Sequence, residues 1–132
     1  MLTVEQLNER MLPLGRLIGV EVVAVEAERL TARLLVRDDL CTTHAIAHGG
    51  TIMALADTLG GLATFVNLPA GATGTTTIES KTNFVGAAKA GQTLIAIATP
   101  IHRGRRTQVW QTRIETGDGR LVSVTSQTQL VL

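Results

Sequence analysis

The stretch that decides the fold is Gly49–Val66, with the sequence GGTIMALADTLGGLATFV. It has no period of two, is long enough for a helix, and contains good helix formers such as Ala54 and Leu55. Its side chains are apolar nearly all round, which is typical of a helix buried inside a protein. Pro69 and Gly71 follow and stop it. The stretch therefore predicts one long, buried helix.

Strand patterns lie on both sides of this helix. Before it, Leu30–Val36 alternates buried-type and solvent-type residues, and the valine-rich run Val20–Glu26 is its expected hairpin partner. After it come four strand-like segments, separated by short turns that contain glycine. They are Thr75–Val85, Gln92–Ile101, Thr107–Thr116 and Arg120–Leu132. Short glycine turns between such strands predict antiparallel hairpins.

The N-terminus is predicted to be helical. Thr3 and Gln6 have the spacing of a capping box, so we expect a short helix over Val4–Met11, which Pro13 and Gly15 end. The order is then helix, two strands, long helix, four strands. One antiparallel sheet wrapped around a central helix buries that helix with the fewest assumptions. We therefore predict an α+β fold, with one domain over residues 1–132.

Composition excludes several classes of function. A net charge of +1 provides no general attraction to nucleic acid or to an anionic membrane, and an aromatic content of 2% leaves few stacking platforms. Cys41 is the only cysteine and the three histidines have no tight spacing, so we expect no disulfide, metal site or cofactor. The chain starts without a secretory signal pattern. We expect a cytoplasmic protein without nucleic-acid or membrane partners.

Asp57 stands out within the predicted helix. It is the only charged residue among the 39 between Asp39 and Glu79, where the chain average of 17% predicts about six or seven. A carboxylate buried without a partner costs several kcal/mol or shifts its pKa upward. Two interpretations remain open from the residue alone. One is a structural aspartate held by a neighbouring hydroxyl or amide, and the other is a catalytic carboxylate.

The residues at the start of the helix favour the catalytic interpretation. Glycine lets a substrate approach the backbone closely, and the free N–H groups of a helix N-terminus can hold a developing oxyanion. His48, Gly49 and Gly50 stand at this position. A polar helix start and a mid-helix carboxylate suit acyl transfer, because one polarises a carbonyl while the other attacks it or activates water.

Helix geometry predicts an assembly. Asp57 lies eight residues after Gly49, which is about 12 Å along a helix. An aspartate side chain cannot cover that span, so two groups that act on one thioester must come from different subunits. A two-fold dimer with antiparallel central helices would bring them together at two equivalent sites. We expect a homodimer, or a tetramer built as a dimer of dimers.

Two longer motifs resemble a known family. The run His48–Asp57 is similar to the helix motif of the hotdog-fold thioesterases, and most of all to that of the phenylacetate-degradation (PaaI-like) branch. Thr75–Val85 is similar to the strand that follows this helix, and Gly119–Val122 resembles the last hairpin of the family. The resemblance implies a hotdog fold and hydrolysis of an acyl-CoA to a free carboxylic acid and CoA.

The resemblance also implies a role for each matching residue. Asp57 would be the general base or nucleophile, the Gly49 backbone N–H the oxyanion donor, and His48 a residue that positions the thioester or the glycine loop. Thr77 matches a hydroxyl that helps to orient the attacking water. Thr42 stands where related enzymes often have an asparagine, and threonine has less reach and no amide donor.

Further substrate contacts are expected from backbone and basic residues. Gly50 lies next to the expected oxyanion donor. The turn His102–Arg106 is basic, and such turns are usually only solvated. In this family Arg103, Arg105 and Arg106 are candidates to bind the phosphates of CoA, which suit arginine forks.

Two other functions stay open. One is a hotdog dehydratase that acts on a hydroxyacyl thioester, because such enzymes pair a histidine with a carboxylate and His48 fits loosely. The other is a non-catalytic acyl-CoA-binding module. The retained Asp57 disfavours the binding module, because a binding pocket gains nothing from a buried charge.

Overall fold

The computed structural model describes residues 1–132. The helices are α1 (Val4–Glu9), α2 (Pro13–Ile18) and α3 (Gly49–Val66), and two 3-10 turns lie at Asp38–Leu40 and Thr43–Ala45. The strands are β1 (Glu21–Glu26), β2 (Arg29–Leu35), β3 (Thr75–Phe84), β4 (Thr93–Arg103), β5 (Thr107–Thr116) and β6 (Leu121–Val131). All six form one antiparallel sheet in the order β1-β2-β4-β5-β6-β3. The predicted architecture is therefore confirmed.

The N-terminal region contains two helices rather than the one that was predicted. The capping box is present, since the Thr3 side chain accepts from the Gln6 N–H and the Gln6 side chain accepts from the Thr3 N–H. Pro13 does not end the helical region; it starts α2, because proline is tolerated in the first turn of a helix. Gly15 lies within α2, where an added Cβ would sit 3.3 Å from Thr58 of α3.

The sheet wraps around α3 and encloses the core. Leu55, Leu59 and Ala63 of α3 are fully buried, and they belong to a cluster of 24 buried apolar residues that includes side chains from every strand except β3. The alternation in β2 is real, since Leu30, Ala32 and Leu34 are buried there. Helix α3 is thus fixed against the sheet along most of its length.

One face of α3 is left open by the sheet. Asp57 and Phe65 are exposed on this face, so the prediction of a helix buried all round is wrong for the single chain. By length and composition α3 passes as a membrane span, with a mean hydropathy of 1.3, yet 56% of it is buried inside the protein. Burial of that extent is what a core helix shows.

Candidate active site

Asp57 lies on the open face of α3 and is held by two donors. Its Oδ1 atom accepts a hydrogen bond from the Thr77 hydroxyl at 2.7 Å and one from the Gln127 side-chain amide at 3.2 Å. The burial of Asp57 that the apolar helix predicted is wrong for the single chain. A neighbouring hydroxyl does hold the carboxylate, as one of the two open interpretations expected. The sheet covers only one side of the helix, and two strands supply the donors: β3 provides Thr77 and β6 provides Gln127.

A second glutamine stands behind Thr77. Gln129 Nε2 donates to Thr77 Oγ1 at 2.6 Å, and Gln129 Oε1 accepts from the Thr75 hydroxyl at 2.9 Å. Gln127 and Gln129 are each only 1% exposed. Sequence reasoning missed both glutamines. The sequence of β6 does contain a signal. Alternate residues of this strand point to its buried face, and four of them in succession are polar: Ser123, Thr125, Gln127 and Gln129.

Strand pairing brings these residues together. β3 is an edge strand that pairs only with β6, and Thr77 lies directly opposite Gln129. The register shifts immediately after Thr77, since the next pair is Glu79 opposite Thr128. A bulge of this kind re-aims side chains and is common next to active sites. Here it lies beside the hydroxyl that reaches Asp57.

Gln127 fits under α3 only because Gly60 lacks a side chain. A Cβ atom added at Gly60 would overlap the Gln127 amide group. The Oε1 atom of Gln127 is buried and accepts no hydrogen bond. An unsatisfied buried acceptor costs about 1–3 kcal/mol, so the Gln127 side chain holds its orientation at a cost in stability.

His48 caps the start of α3 and leaves one N–H free. Its Nδ1 atom accepts from the Gly50 N–H at 2.7 Å, so the neutral ring carries its proton on Nε2. The Gly49 N–H makes no hydrogen bond within the chain. The Gly50 N–H is thus bonded to His48, whereas the Gly49 N–H is open. That Gly50 contacts the substrate stays a prediction.

Thr42 lies in the loop that leads to this helix start. Its N–H donates to the Ile46 carbonyl at 2.7 Å, and its exposed side chain makes no hydrogen bond. Cys41 pairs with Ala47 in an isolated bridge, which brings this part of the loop next to the residue before His48. The Thr42 hydroxyl is thus free to form a hydrogen bond, and it belongs to the loop that lies beside the start of α3.

The basic turn lies at the opposite end of α3. Arg103 forms an ion pair with Glu28 at 3.0 Å and donates to Asn67, the residue that caps the C-terminal end of α3. The Arg103 guanidinium is thus bonded within the chain, and its contact with CoA phosphates stays a prediction. Arg105 and Arg106 are exposed and form no ion pair.

Two cavities flank the open face of α3. One has a volume of about 660 Å³ and includes Asp57, Thr77 and Gly61 in its wall. Its apolar wall residues are Leu2, Leu7, Leu12, Leu14, Leu62 and Phe65. The other has a volume of about 430 Å³ and includes Gly49 and Phe84. The carboxylate and the free N–H of one chain therefore border different cavities.

Comparisons with known proteins give a family. A profile of the Thioesterase superfamily matches residues 44–123. PA1618 of Pseudomonas aeruginosa, named as a candidate esterase, is 30% identical over 129 residues, which are 97% of this chain and 88% of that protein.

Solved structures agree with this match. Thioesterase HI1161 from Haemophilus influenzae has a TM-score of 0.92 and 30% identity, covering 100% of this chain and 92% of its own. PaaI from the phenylacetic acid degradation operon of Escherichia coli has a TM-score of 0.85, covering 98% of this chain and 91% of its own. At 19% identity PaaI supports the fold alone. The fold is the predicted hotdog fold, and the chain belongs to the Thioesterase superfamily, whose members hydrolyse thioester bonds.

Proposed function

We propose that the protein is an acyl-CoA thioesterase in which Asp57 drives hydrolysis to a free carboxylic acid and CoA. The observation that carries this proposal is the Asp57 carboxylate, which has one oxygen held by donors and stands in the wall of a largely apolar cavity. A charged group beside a leucine-lined space suits a reaction on an apolar acyl group. Membership in the Thioesterase superfamily supports the thioester as the bond that is hydrolysed.

The chemistry has two forms with the same products. As a general base, Asp57 takes a proton from water while the water oxygen adds to the thioester carbonyl. As a nucleophile, Asp57 adds to the carbonyl itself and forms a mixed anhydride, which water then cleaves. In both forms the carbonyl oxygen becomes negative, the carbon–sulfur bond breaks, and the CoA thiolate leaves and takes up a proton. The free Gly49 N–H at the start of α3 is suited to stabilise the oxyanion.

The proposed site is shared by two subunits. Asp57 and Gly49 lie about 12 Å apart along α3 and border different cavities, so one thioester cannot touch both within a chain. The open face of α3 and the unpaired edge of β3 are suited to contact a second copy. A two-fold dimer with antiparallel α3 helices places Gly49 of each subunit near Asp57 of its partner. A further dimer of dimers stays a prediction, as does the cytoplasmic location.

The CoA part of the substrate is supported by two observations. Another thioesterase of this fold, from Streptococcus pneumoniae, was solved with coenzyme A, although at 24% identity. Arg105 and Arg106 are exposed and free of ion pairs, so they remain our candidates for phosphate contacts. Thr42 and the Nε2–H group of His48 are the remaining polar groups that the proposal places near the thioester.

The dehydratase alternative receives less support from the geometry. A dehydratase needs a histidine and a carboxylate that work as a pair on one substrate. His48 Nδ1 already accepts from the Gly50 N–H, so the neutral ring presents only its Nε2–H donor and has no free basic nitrogen to take a proton. A non-catalytic binding module would not need a carboxylate with one oxygen left free.

A thiol-release assay tests the proposal. The purified protein is mixed with short, medium, long and aromatic acyl-CoAs, and free CoA is measured with a thiol reagent. We expect release with at least one of these acyl classes, and weaker release from the matching pantetheine thioesters if Arg105 and Arg106 bind the phosphates. No thiol release from any member, together with water loss from a 3-hydroxyacyl-CoA, would favour the dehydratase. Acyl-CoA binding without turnover would favour the binding module.

Gly61 is expected to limit the size of the acyl group. It borders the cavity beside Asp57, and a Cβ atom added there meets no atom within 4 Å. Gly61→Leu should lower kcat/KM by about tenfold or more for the largest acyl group accepted, because lost apolar fit costs about 1–3 kcal/mol. For a short acyl group we expect a change within about twofold.

Gly61→Ala is the matched control for this prediction. The smaller methyl group should give an intermediate effect on large acyl groups and raise helix stability by about 0.5–1 kcal/mol. Sedimentation must show an unchanged mass for both variants. An equal loss of activity with short and long acyl groups would contradict the proposed acyl pocket.

A further inference from the structure

We propose that Gln127 and Gln129 are positioning residues that hold the Asp57 carboxylate so that only its Oδ2 atom reacts. The inference rests on the proposed catalytic role of Asp57. Both hydrogen bonds to this carboxylate end on Oδ1, whereas Oδ2 makes none within the chain. An exposed carboxylate would otherwise rotate about its last bond and exchange its two oxygens.

The charge of Asp57 sets the direction of each hydrogen bond in the series that runs from Asp57 through Thr77 and Gln129 to Thr75. An ionised carboxylate can only accept, so the single hydroxyl proton of Thr77 must point to Oδ1. Thr77 Oγ1 is then an acceptor for Gln129, which must present its Nε2 donor to it at 2.6 Å. The Oε1 atom of Gln129 therefore faces the Thr75 hydroxyl. In this series, which we call the Thr77 branch, every donor faces an acceptor.

Gln127 supplies the second donor and has a fixed orientation. Its Nε2 atom is 3.2 Å from Asp57 Oδ1 and 3.5 Å from the Asp57 backbone carbonyl. With Nε2 turned to Asp57, Oε1 must face Gly60, where it finds no donor. An amide placed there only for stability would gain from a partner on both sides. The unpartnered Oε1 atom is the expected consequence of directing Nε2 at the carboxylate.

Burial makes these two glutamines rigid supports. Both are 1% exposed, and Gln127 packs against Gly60 of α3, while the carboxylate that they hold reaches the cavity. A reacting group held in place before substrate arrives does not have to be ordered during the reaction. This arrangement also explains Thr77: its proton is committed to Asp57, so it holds the carboxylate rather than the attacking water.

The test compares variants along the Thr77 branch. Thr77→Val removes the hydroxyl at nearly constant volume, and Gln129→Leu removes the donor behind it. Each should lower kcat by about tenfold and change KM by less than about twofold, because the loss affects a step after binding. Thr77→Ser keeps the hydroxyl and should stay within about threefold of wild type. The double variant of Thr77→Val and Gln129→Leu should be no slower than either single one, since both act through the same oxygen.

Gln108→Leu is the matched control. Gln108 is the same residue type, is also 1% exposed, and bonds to the Asn67 carbonyl and to Trp110 instead of the Asp57 group. It should lower the midpoint of urea unfolding but leave kcat within about twofold.

The outcomes separate this inference from the proposed function. If Asp57→Asn is inactive but Thr77→Val keeps the kcat of wild type, the positioning role is wrong. The same conclusion follows if Gln108→Leu lowers kcat as much as Gln129→Leu does. If Asp57→Asn itself keeps wild-type activity, the catalytic assignment fails first. The Thr77 variants test the positioning role even if the glutamine variants do not fold. Valine has nearly the volume of threonine, so we expect Thr77→Val to fold.

Discussion

Asp57→Asn should lower kcat by about 100-fold or more while leaving the fold intact. The asparagine side-chain oxygen can still accept the bonds that Thr77 and Gln127 donate to Oδ1. Its NH₂ group then replaces Oδ2, and an amide nitrogen neither takes a proton from water nor attacks a carbonyl at neutral pH. The variant thus removes the reactive atom without removing its support. Release of free CoA from the best acyl-CoA substrate measures the effect.

Two controls make this result specific. Glu21→Gln removes a carboxylate of β1, the edge strand at the other side of the sheet from β3, that pairs with Arg33 of β2. We expect its activity to stay within about twofold of wild type, since an exposed pair is screened by solvent. Thermal unfolding should show a similar midpoint for Asp57→Asn and wild type, because Asp57 is exposed in the single chain. Hydrolysis near the wild-type rate by a folded Asp57→Asn would exclude Asp57 as the base or nucleophile.

The main elements of the fold are predictable from local pattern. The bounds of α3 and β5 agree with the predicted ones, because a long apolar run without a period of two and an alternating strand between glycine turns are strong signals. The sequence predicts no second helix at α2, because Pro13 is expected to end the helical region. Proline is also favoured in the first turn of a helix, and only tertiary packing decides whether Pro13 ends one helix or starts the next. Gly15 shows that packing, since it lets α2 approach Thr58.

Within the hydrogen-bonded group around the carboxylate, Asp57 is the residue that the charge pattern of the sequence predicts. Asp57 is noticeable because no other charge lies near it in sequence. Gln127 and Gln129 are neutral, and the polar alternation of β6 does not show which of its faces is buried. Their role depends on the β3–β6 register, which joins Gln129 to a hydroxyl 52 residues away. Local sequence patterns do not contain that pairing.

The exposure of Asp57 has a related explanation. The composition of α3 shows that it is apolar on all sides, but it does not show which partner covers each side. The sheet covers one side, and the face with Asp57 and Phe65 is left for something else. In the proposed dimer that partner is a second copy of the chain, and it is this assembly that the remaining prediction tests.

Gly49→Pro should nearly abolish hydrolysis by removing a single N–H group. Gly49 is the first residue of α3, where proline is favoured, and His48 before it has the extended backbone that proline requires, with φ −61° and ψ 139°. The loss of one oxyanion donor lowers kcat by about 10²–10³. Gly49→Ala is the matched control, because it adds a similar contact with the Phe84 ring but keeps the N–H. We expect the alanine variant to remain within about tenfold of wild type.

Mixing Gly49→Pro with Asp57→Asn tests whether subunits share the site. In a mixed dimer one site receives both lesions and the other receives neither. If chains exchange freely, about half of the dimers are mixed and each has one intact site of two, so activity should recover to about a quarter of wild type. The chains carry different tags and are refolded together. The thiol-release rate is then plotted against the measured fraction of mixed dimers.

A straight line through the origin of this plot is the expected result, because neither parental dimer has an intact site. Mixed dimers without recovered activity would mean that the carboxylate and the N–H act within one chain. The Gly49→Ala and Asp57→Asn mixture provides the reference. Its activity should exceed a quarter of wild type, since the dimers of Gly49→Ala are themselves active. Only a site built from two chains allows two inactive proteins to restore each other in proportion to their pairing.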